Sequence, residues 1–223
     1  MPRAHSLKSP ATWRLYVIVD RVAAGNRDLT DLAARAIHGG ADVIQLRNKT
    51  ALARELIAQA TALLRVTRPA GVPLLINDRA DIAKAVGADG VHVGQEDLPI
   101  AAARQVLGPR GLIGQSTHNL AQALAAAREG VDYLALGPIF PTPTKPEYGR
   151  VGTALIRRAL PKLSVPAVCI GGIDLERLEA VIAAGAQCVA VVRAVCGARN
   201  PEAAARHLKN SLNRVARPAN QPL

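Results

Sequence analysis

The sequence predicts a single α/β domain built as a (β/α)8, or TIM, barrel. Short apolar runs alternate with amphipathic stretches about eight times along the 223 residues, which is the number of βα units that closes such a barrel. Hydrophobic residues make up 49% of the chain and aromatic residues only 2%. The core must therefore consist of Ala, Val, Leu and Ile, as it does where helices pack on a buried parallel sheet.

The apolar runs are short enough to be buried strands, and the stretches between them have the spacing of amphipathic helices. The clearest helices are predicted over residues 30–38, 52–64 and 120–128, with a last helix over residues 201–215. The predicted strands are residues 15–19, 43–46, 74–76, 91–93, 112–114, 133–136, 167–170 and 188–192.

A short motif that begins with glycine precedes each even-numbered strand. Its four copies start at Gly40, Gly87, Gly130 and Gly185, where glycine ends the preceding helix because it adopts φ > 0 without strain. Four copies of a two-βα unit are expected of a barrel whose interior layers come from alternate strands. A doubly wound open sheet has the same alternation of strands and helices and is the alternative fold.

No linker or change of composition divides the chain, so we expect one catalytic domain over residues 13–215. A basic N-terminal tail of residues 1–12 and a C-terminal tail of residues 216–223 are expected to flank it as disordered segments. The N-terminus lacks the apolar stretch of a signal peptide, and the chain has no run of about 18 apolar residues that would predict a membrane span. The three cysteines have neither zinc spacing nor an even count and are interpreted as small buried hydrophobes. These features predict a cytoplasmic protein.

The formal net charge of +11 raises the question of nucleic-acid binding. The cations are spread at helical spacing, and Phe140 and Trp13 are the only residues of their types, so the stacking surface of a single-strand binder is missing. We therefore expect no specific nucleic-acid partner. Attraction of small polyanionic substrates is the better use of this charge.

Two carboxylates follow neighbouring predicted strands, Asp78 after the third and Asp97 after the fourth. The carboxyl ends of parallel strands meet at one end of a barrel, and Mg²⁺ is commonly held by one or two carboxylates plus substrate phosphates. The pair therefore predicts a metal–phosphate site. The alternative is that each residue caps the helix that follows it.

Other strand ends carry groups suited to an anion. Alternation places Gln45, Arg47 and Lys49 on one face after the second strand, and two inward cations are costly unless an anion meets them. After the fifth strand, Ser116 can donate to a phosphate oxygen, whereas His118 has no partner acid that would make it a general base. Capping or solvent-exposed loops are the alternative for both segments.

The loops after strands six and seven complete the predicted site. Three prolines stiffen the first loop, and Thr142, Thr144 and Lys145 offer two hydroxyls and an ammonium to an anion. The second contains Gly171 and Gly172, whose backbone N–H groups can approach a phosphate. The alternatives are a mobile loop and a simple tight turn.

Taken together and in this order, these motifs resemble those of the thiamine-phosphate synthases. The resemblance extends over residues 15–195. The motifs that carry it are QLRNK at 45–49, NDRAD at 77–81, GADGVHVGQED at 87–97, STH at 116–118, GPIFPTPTK at 137–145 and GGI at 171–173.

The resemblance implies that hydroxymethylpyrimidine diphosphate and a thiazole phosphate combine to give thiamine phosphate and pyrophosphate. It implies one Mg²⁺ per subunit, held by Asp78 and Asp97, which assists dissociative loss of pyrophosphate before the thiazole nitrogen attacks. It assigns catalysis to Arg47, Lys49, Ser116 and Lys145. It assigns the pyrimidine diphosphate to Gln45, Leu46, Arg47, Asn48, Lys49, Asn77, Ser116 and Lys145. It assigns the thiazole phosphate to Thr142, Pro143, Thr144, Gly172, Val192 and Arg193.

One position departs from the family pattern, since Arg193 stands where a serine is common. Its guanidinium either binds the thiazole phosphate or turns to solvent and leaves the contact to backbone N–H groups. A thiazole tautomerase or another phosphate-binding isomerase is the rival enzyme, and a basic nucleic-acid-binding protein is the rival from another class. The sequence leaves the oligomeric state open.

Overall fold

A computed structural model of the chain describes residues 9–143 and 149–215. Within these two ranges, eight parallel strands hydrogen-bond in chain order and close into a barrel. The first strand pairs with the last, with Leu15 beside Val189, which excludes the open doubly wound sheet. The predicted TIM barrel is therefore confirmed.

Helices connect successive strands, as the alternating pattern predicted. The strands are β1 (Leu15–Asp20), β2 (Val43–Arg47), β3 (Leu74–Asn77), β4 (Gly90–Val93), β5 (Leu112–Thr117), β6 (Tyr133–Leu136), β7 (Ala167–Ile170) and β8 (Val189–Val191). The helices in the described ranges are α1 (Arg21–Ala24), α2 (Leu29–His38), α3 (Ala53–Thr67), α4 (Ala80–Val86), α5 (Ile100–Leu107), α6 (Leu120–Arg128), α7 (Gly152–Ala159), α8 (Leu175–Ala183), α9 (Arg193–Cys196) and α10 (Pro201–Val215). Short 3-10 helices cover Pro10–Thr12 and Leu160–Lys162.

Several strands run further toward their carboxyl ends than the apolar runs predicted. Asp20, Arg47, Asn77 and Thr117 all belong to strands, and Asp20 pairs in register with Arg47. The parallel ladder is made by backbone groups, so polar side chains continue it as readily as apolar ones. The functional end of the barrel is consequently part of its rigid sheet.

Regular structure begins inside the predicted N-terminal tail. Residues Pro10–Thr12 form a 3-10 helix, and the Ser9 side chain accepts a hydrogen bond from the N–H of Ala11. Residues 1–8 and 216–223 of the predicted tails lie outside the described residues. In the described part of the chain, no helix is both long and apolar enough to cross a membrane.

The glycine motif ties the amino ends of the strands together. Gly40, Gly87, Gly130 and Gly185 all have positive φ, as their helix-ending role requires. In the first three copies the aspartate two residues later accepts a hydrogen bond from a backbone N–H near the start of the preceding odd-numbered strand. The pairs are Asp42 with Leu15 (3.0 Å), Asp89 with Leu74 (2.8 Å) and Asp132 with Ile113 (2.7 Å). We call these contacts aspartate staples.

The few aromatic residues are concentrated inside the barrel. Trp13, Tyr16 and Tyr133 are at most 1% exposed, and the tryptophan ring meets both tyrosine rings edge-on at centroid distances of 5.9 and 5.2 Å. Gly114 makes room for them, because a Cβ there would lie 2.0 Å from the Tyr133 ring. These three aromatic rings therefore fill the interior of the barrel beneath its polar, carboxyl-terminal end.

The cysteines are buried and unpaired, as predicted. Burial raises the pKa of Cys169 to about 12 and that of Cys196 to about 11. These thiols stay protonated and serve as packing groups.

Candidate active site

A cavity of about 390 Å³ lies at the carboxyl end of the barrel, and each of the eight strands contributes to its lining. This is the end at which TIM barrels place their chemistry. The predicted site residues that line it are Gln45, Arg47, Asn77, Ser116, Thr142, Pro143, Gly172, Val192 and Arg193. The cavity thus gathers residues from distant parts of the sequence, as predicted from the strand ends.

The guanidinium of Arg47 is held by Asp20, a residue that the sequence analysis missed. Asp20 is 2% exposed; one carboxylate oxygen accepts from the N–H of Ala23 and the other from Nη1 of Arg47. The side chain of Arg47 is 13% exposed and lines the cavity. A buried ion pair of this kind fixes one face of the guanidinium and leaves its other donors for an anion.

The structure brings Asp78 and Asp97 together. Burial, followed by the hydrogen bond and the charge of Asp97, raises the pKa of Asp78, although Lys49 opposes this shift. The Lys49 ammonium lies 3.2 Å from Asp78, and Asp97 accepts from the N–H of Gly94 at 2.7 Å. Two carboxylates held against their mutual repulsion fit a divalent cation.

Neither carboxylate is a helix cap. Helix α4 has Arg79 at its N-cap and α5 has Pro99, and neither cap makes a side-chain hydrogen bond. Asp78 instead adopts φ of 63° and is the one non-glycine residue with positive φ in the described ranges. Backbone strain of this kind persists at functional sites because the surrounding structure holds it. The capping alternative is therefore wrong for both residues.

The pair stands without further ligating side chains nearby. Among the described residues, no cluster of three or more His, Cys, Asp and Glu residues is arranged to hold a metal ion. A structural zinc site needs about four such ligands, whereas Mg²⁺ is satisfied by one or two carboxylates, water and substrate phosphates. The donor set fits magnesium better than a metal such as zinc that prefers nitrogen and sulfur ligands.

Two residues predicted to bind the pyrimidine diphosphate point elsewhere. The Leu46 side chain is fully buried in the core between barrel and helices, since alternation turns it outward from strand β2. The Asn48 amide donates to Glu55 at 3.4 Å and to Gln59 at 3.2 Å, both on helix α3. Their side chains support the loop, and only their backbone groups remain for a ligand.

The polar residues of β4 and β5 are linked to one another. The His92 ring bonds Tyr133 at 2.8 Å and Ser116 at 2.9 Å. It also lines the cavity, a position that the sequence analysis missed. The Gln95 amide donates to the Ser116 carbonyl at 2.6 Å, so the serine is fixed at backbone and side chain.

His118 is also held in place. Its Nδ1 donates to the Gly137 carbonyl at 2.6 Å, and its backbone N–H donates to Gln122 at 2.7 Å. Asn119 caps helix α6 by accepting a hydrogen bond from the N–H of Gln122. His118 lines the cavity.

The loops after β6 and β7 pack on each other at the cavity wall. A Cβ at Gly172, where φ is 62°, would lie 2.6 Å from the Pro141 carbonyl oxygen. Arg177 donates to the Gly172 carbonyl at 2.8 Å and lies 5.4 Å above the Phe140 ring. The double glycine is therefore required for close packing as well as for a turn. Predicted residues Thr144 and Lys145 lie outside the described residues.

The end of β8 contributes Val192 and Arg193. Arg193 is exposed, begins the short helix α9 and lines the cavity. Arg177, which the sequence analysis missed, lines the same wall. The cavity therefore has a second cationic region on its β7–β8 side, in addition to Arg47 on β2.

Comparison with known proteins agrees with this arrangement. A family model described as "Thiamine monophosphate synthase" matches residues 15–195. Thiamine-phosphate synthases from Roseiflexus sp. (strain RS-1) and Chloroflexus aurantiacus are each 48% identical to the chain, over 87% and 88% of its length and 83% and 91% of theirs. A solved thiamine phosphate pyrophosphorylase from Pyrococcus furiosus superposes with a TM-score of 0.86 at 34% identity, covering 93% of this chain and 99% of the other. The chain belongs to the thiamine monophosphate synthase family.

Proposed function

We propose that the protein is a transferase that joins 4-amino-5-hydroxymethyl-2-methylpyrimidine diphosphate to a thiazole phosphate. The products are thiamine phosphate and pyrophosphate. The observation that carries the proposal is the half-buried carboxylate pair of Asp78 and Asp97 beside a cavity that Arg47 lines. A clamp of cations with a metal site at its edge suits a diphosphate leaving group.

The bond changes need no general base. The C–O bond between the pyrimidine methylene and the diphosphate breaks, and its electron pair leaves with pyrophosphate. The lone pair of the thiazole nitrogen then forms the new C–N bond to the methylene. Charge accumulates on the leaving oxygens, so donors aimed at those oxygens lower the barrier, and a shared cavity holds the two reactants in line.

Asp78 and Asp97 would hold Mg²⁺, one ion per subunit. The ion would neutralise charge on the diphosphate. Arg47 would donate to the same group from a position that Asp20 fixes in advance, so little side-chain freedom is lost on binding. Lys49, Asn77 and Ser116 would complete this side, together with Lys145.

The thiazole phosphate would occupy the β7–β8 side. Gly172, Val192 and Arg193 line the cavity there, and the first N–H groups of a helix lack intrahelical partners. We propose that backbone N–H groups make this contact, because the Arg193 side chain is exposed. Thr142 and Pro143 would cover the ligand, with Thr144 beyond the described residues.

The partners in this proposal are small phosphorylated molecules, not nucleic acid or membrane. The test mixes purified protein with both substrates, with and without Mg²⁺, and measures thiamine phosphate and pyrophosphate. We expect equimolar products that require the metal. Isomerisation of a thiazole phosphate alone, without Mg²⁺, would instead identify a tautomerase. The absence of both activities would refute the proposal.

A further inference from the structure

A chain of four hydrogen bonds crosses the barrel interior below the cavity. The Gln45 amide nitrogen lies 2.5 Å from the Tyr16 hydroxyl, which lies 3.1 Å from the Tyr133 hydroxyl. Tyr133 lies 2.8 Å from Nδ1 of His92, and Nε2 of His92 lies 2.9 Å from the Ser116 hydroxyl. Each member is buried, with at most 9% of its surface exposed. The chain links five strands, and both of its ends line the cavity.

The chemistry of the first member sets the direction of every bond. An amide NH₂ group can only donate, so the Tyr16 oxygen accepts from Gln45 and passes its single hydrogen to Tyr133. Tyr133 must then donate to Nδ1 of His92, which places the imidazole proton on Nε2. Nε2–H donates to the Ser116 oxygen. The hydrogen of Ser116 is consequently directed away from His92, on the side that faces the cavity.

The surroundings keep this direction fixed. Burial is the main cause that raises the pKa of Tyr16, and likewise that of Tyr133, so both phenols keep their protons at any physiological pH. Trp13 packs against both rings, and a Cβ at Gly114 would lie 2.0 Å from the Tyr133 ring. The rings have no room to turn, and a fully satisfied buried network specifies one arrangement.

We propose that Tyr16 and Tyr133 are positioning residues that lock His92 as its Nε2–H tautomer and thereby leave the Ser116 hydrogen free to be donated into the cavity. Such a hydroxyl is oriented before the ligand arrives and selects a lone-pair acceptor there. That this acceptor belongs to the pyrimidine diphosphate rests on the proposed function. The tautomer itself does not depend on any ligand.

The first experiment is ¹H–¹⁵N multiple-bond NMR of ¹⁵N-histidine-labelled protein at pH 8 without substrate. The His92 signals are assigned by their loss in His92→Gln. We expect a protonated Nε2 and an unprotonated Nδ1. A protonated Nδ1 in the wild-type protein overturns the proposal, and this measurement needs no other variant to fold.

A substitution at Gln45 that reverses the direction of the hydrogen bonds gives a sharper test. In Gln45→Glu the carboxylate accepts from Tyr16, so every bond reverses and His92 should become the Nδ1–H tautomer, three hydrogen bonds away. Gln95→Glu is the matched control: it makes the same change beside Ser116 but outside the chain, and should keep Nε2–H. An unchanged tautomer in folded Gln45→Glu contradicts the mechanism.

A double-mutant cycle connects the tautomer to turnover. Tyr133→Phe should lower kcat/KM about 10-fold, the equivalent of roughly 1.4 kcal/mol, but should cause no further loss in a Ser116→Ala background. Independent, additive losses would show that Tyr133 does not act through Ser116. If the wild-type protein forms no thiamine phosphate, the proposed function fails while the spectra still decide the tautomer.

Discussion

Replacing Asp78 by asparagine should make the metal-free protein more stable and inactive at once. The ionised carboxylate of Asp78 destabilises the folded state, as shown by the direction in which burial and the neighbouring Asp97 shift its pKa, which is upward. Asparagine keeps the shape and tolerates the observed φ of 63° as aspartate does. Within residues 9–143 and 149–215, the favourable side-chain contact that is lost is the one to Lys49, whose side chain is 50% exposed. Such exposed pairs contribute about 0–1 kcal/mol.

The net change should be a gain of about 1 kcal/mol in the free energy of unfolding at pH 7. For a chain of this length, that raises Tm by about 2–4 °C. The pKa of Asp78 is higher in the folded state than in the unfolded state, so its favourable contribution is present at low pH and is lost as pH rises through the folded pKa. The advantage of Asp78→Asn should therefore disappear below about pH 4.

The assay is thermal unfolding in EDTA and in Mg²⁺ with pyrophosphate. Ligand at 100 times its Kd should stabilise the wild-type protein by about 2.7 kcal/mol, and this shift should be absent in Asp78→Asn. Asp81→Asn is the matched control: Asp81 is exposed and paired with Arg79, the N-cap residue of its helix, so its variant should keep the shift. A lower Tm of Asp78→Asn in EDTA, or a retained ligand shift, would refute the metal assignment.

Two further predictions concern the two sides of the cavity. Arg47→Ala should lower kcat/KM by about 30- to 1,000-fold, because it removes a charge-assisted contact worth roughly 2–4 kcal/mol. Asp20→Asn only releases the guanidinium and should give a smaller loss in the same steady-state assay. Equal losses would mean that Asp20 itself binds substrate. Arg193→Ser should leave both KM values within about 2-fold if backbone N–H groups hold the thiazole phosphate. A rise confined to the thiazole phosphate KM would show that the guanidinium binds it.

The strand ends could be predicted because a barrel collects polar residues there. The apolar runs located the strands, and polar residues near the carboxyl ends of several of them line the cavity, as with Gln45, Asn77 and Ser116. The same logic applies to Asp20, which directly follows the first apolar run. It was missed because a single carboxylate after a strand resembles an ordinary helix cap, which Asp20 also is.

Other features were not accessible from the sequence alone. Tyr16 and Tyr133 stand within apolar runs, where nothing distinguishes a hydrogen-bonded phenol from a packing ring. The motif around Leu46 and Asn48 was assigned to the ligand as a block, although strand alternation turns Leu46 outward. Contacts between side chains of distant strands depend on register and depth, which residue spacing does not encode.

The aspartate staples give the two ends of the barrel different roles. They join neighbouring strands at the amino end of the barrel, opposite the cavity. Residues at the carboxyl end, where the cavity lies, can therefore change without breaking these hydrogen bonds. The fourth copy of the motif has no carboxylate, because Gln187 stands there as an exposed neutral side chain, and it precedes β8, a strand of three residues. The pairing of β7 with β8 therefore has no staple, unlike the other three pairs of an odd-numbered strand with the next even-numbered strand. We expect its amides to exchange with deuterium first, in the wall where the thiazole phosphate would enter.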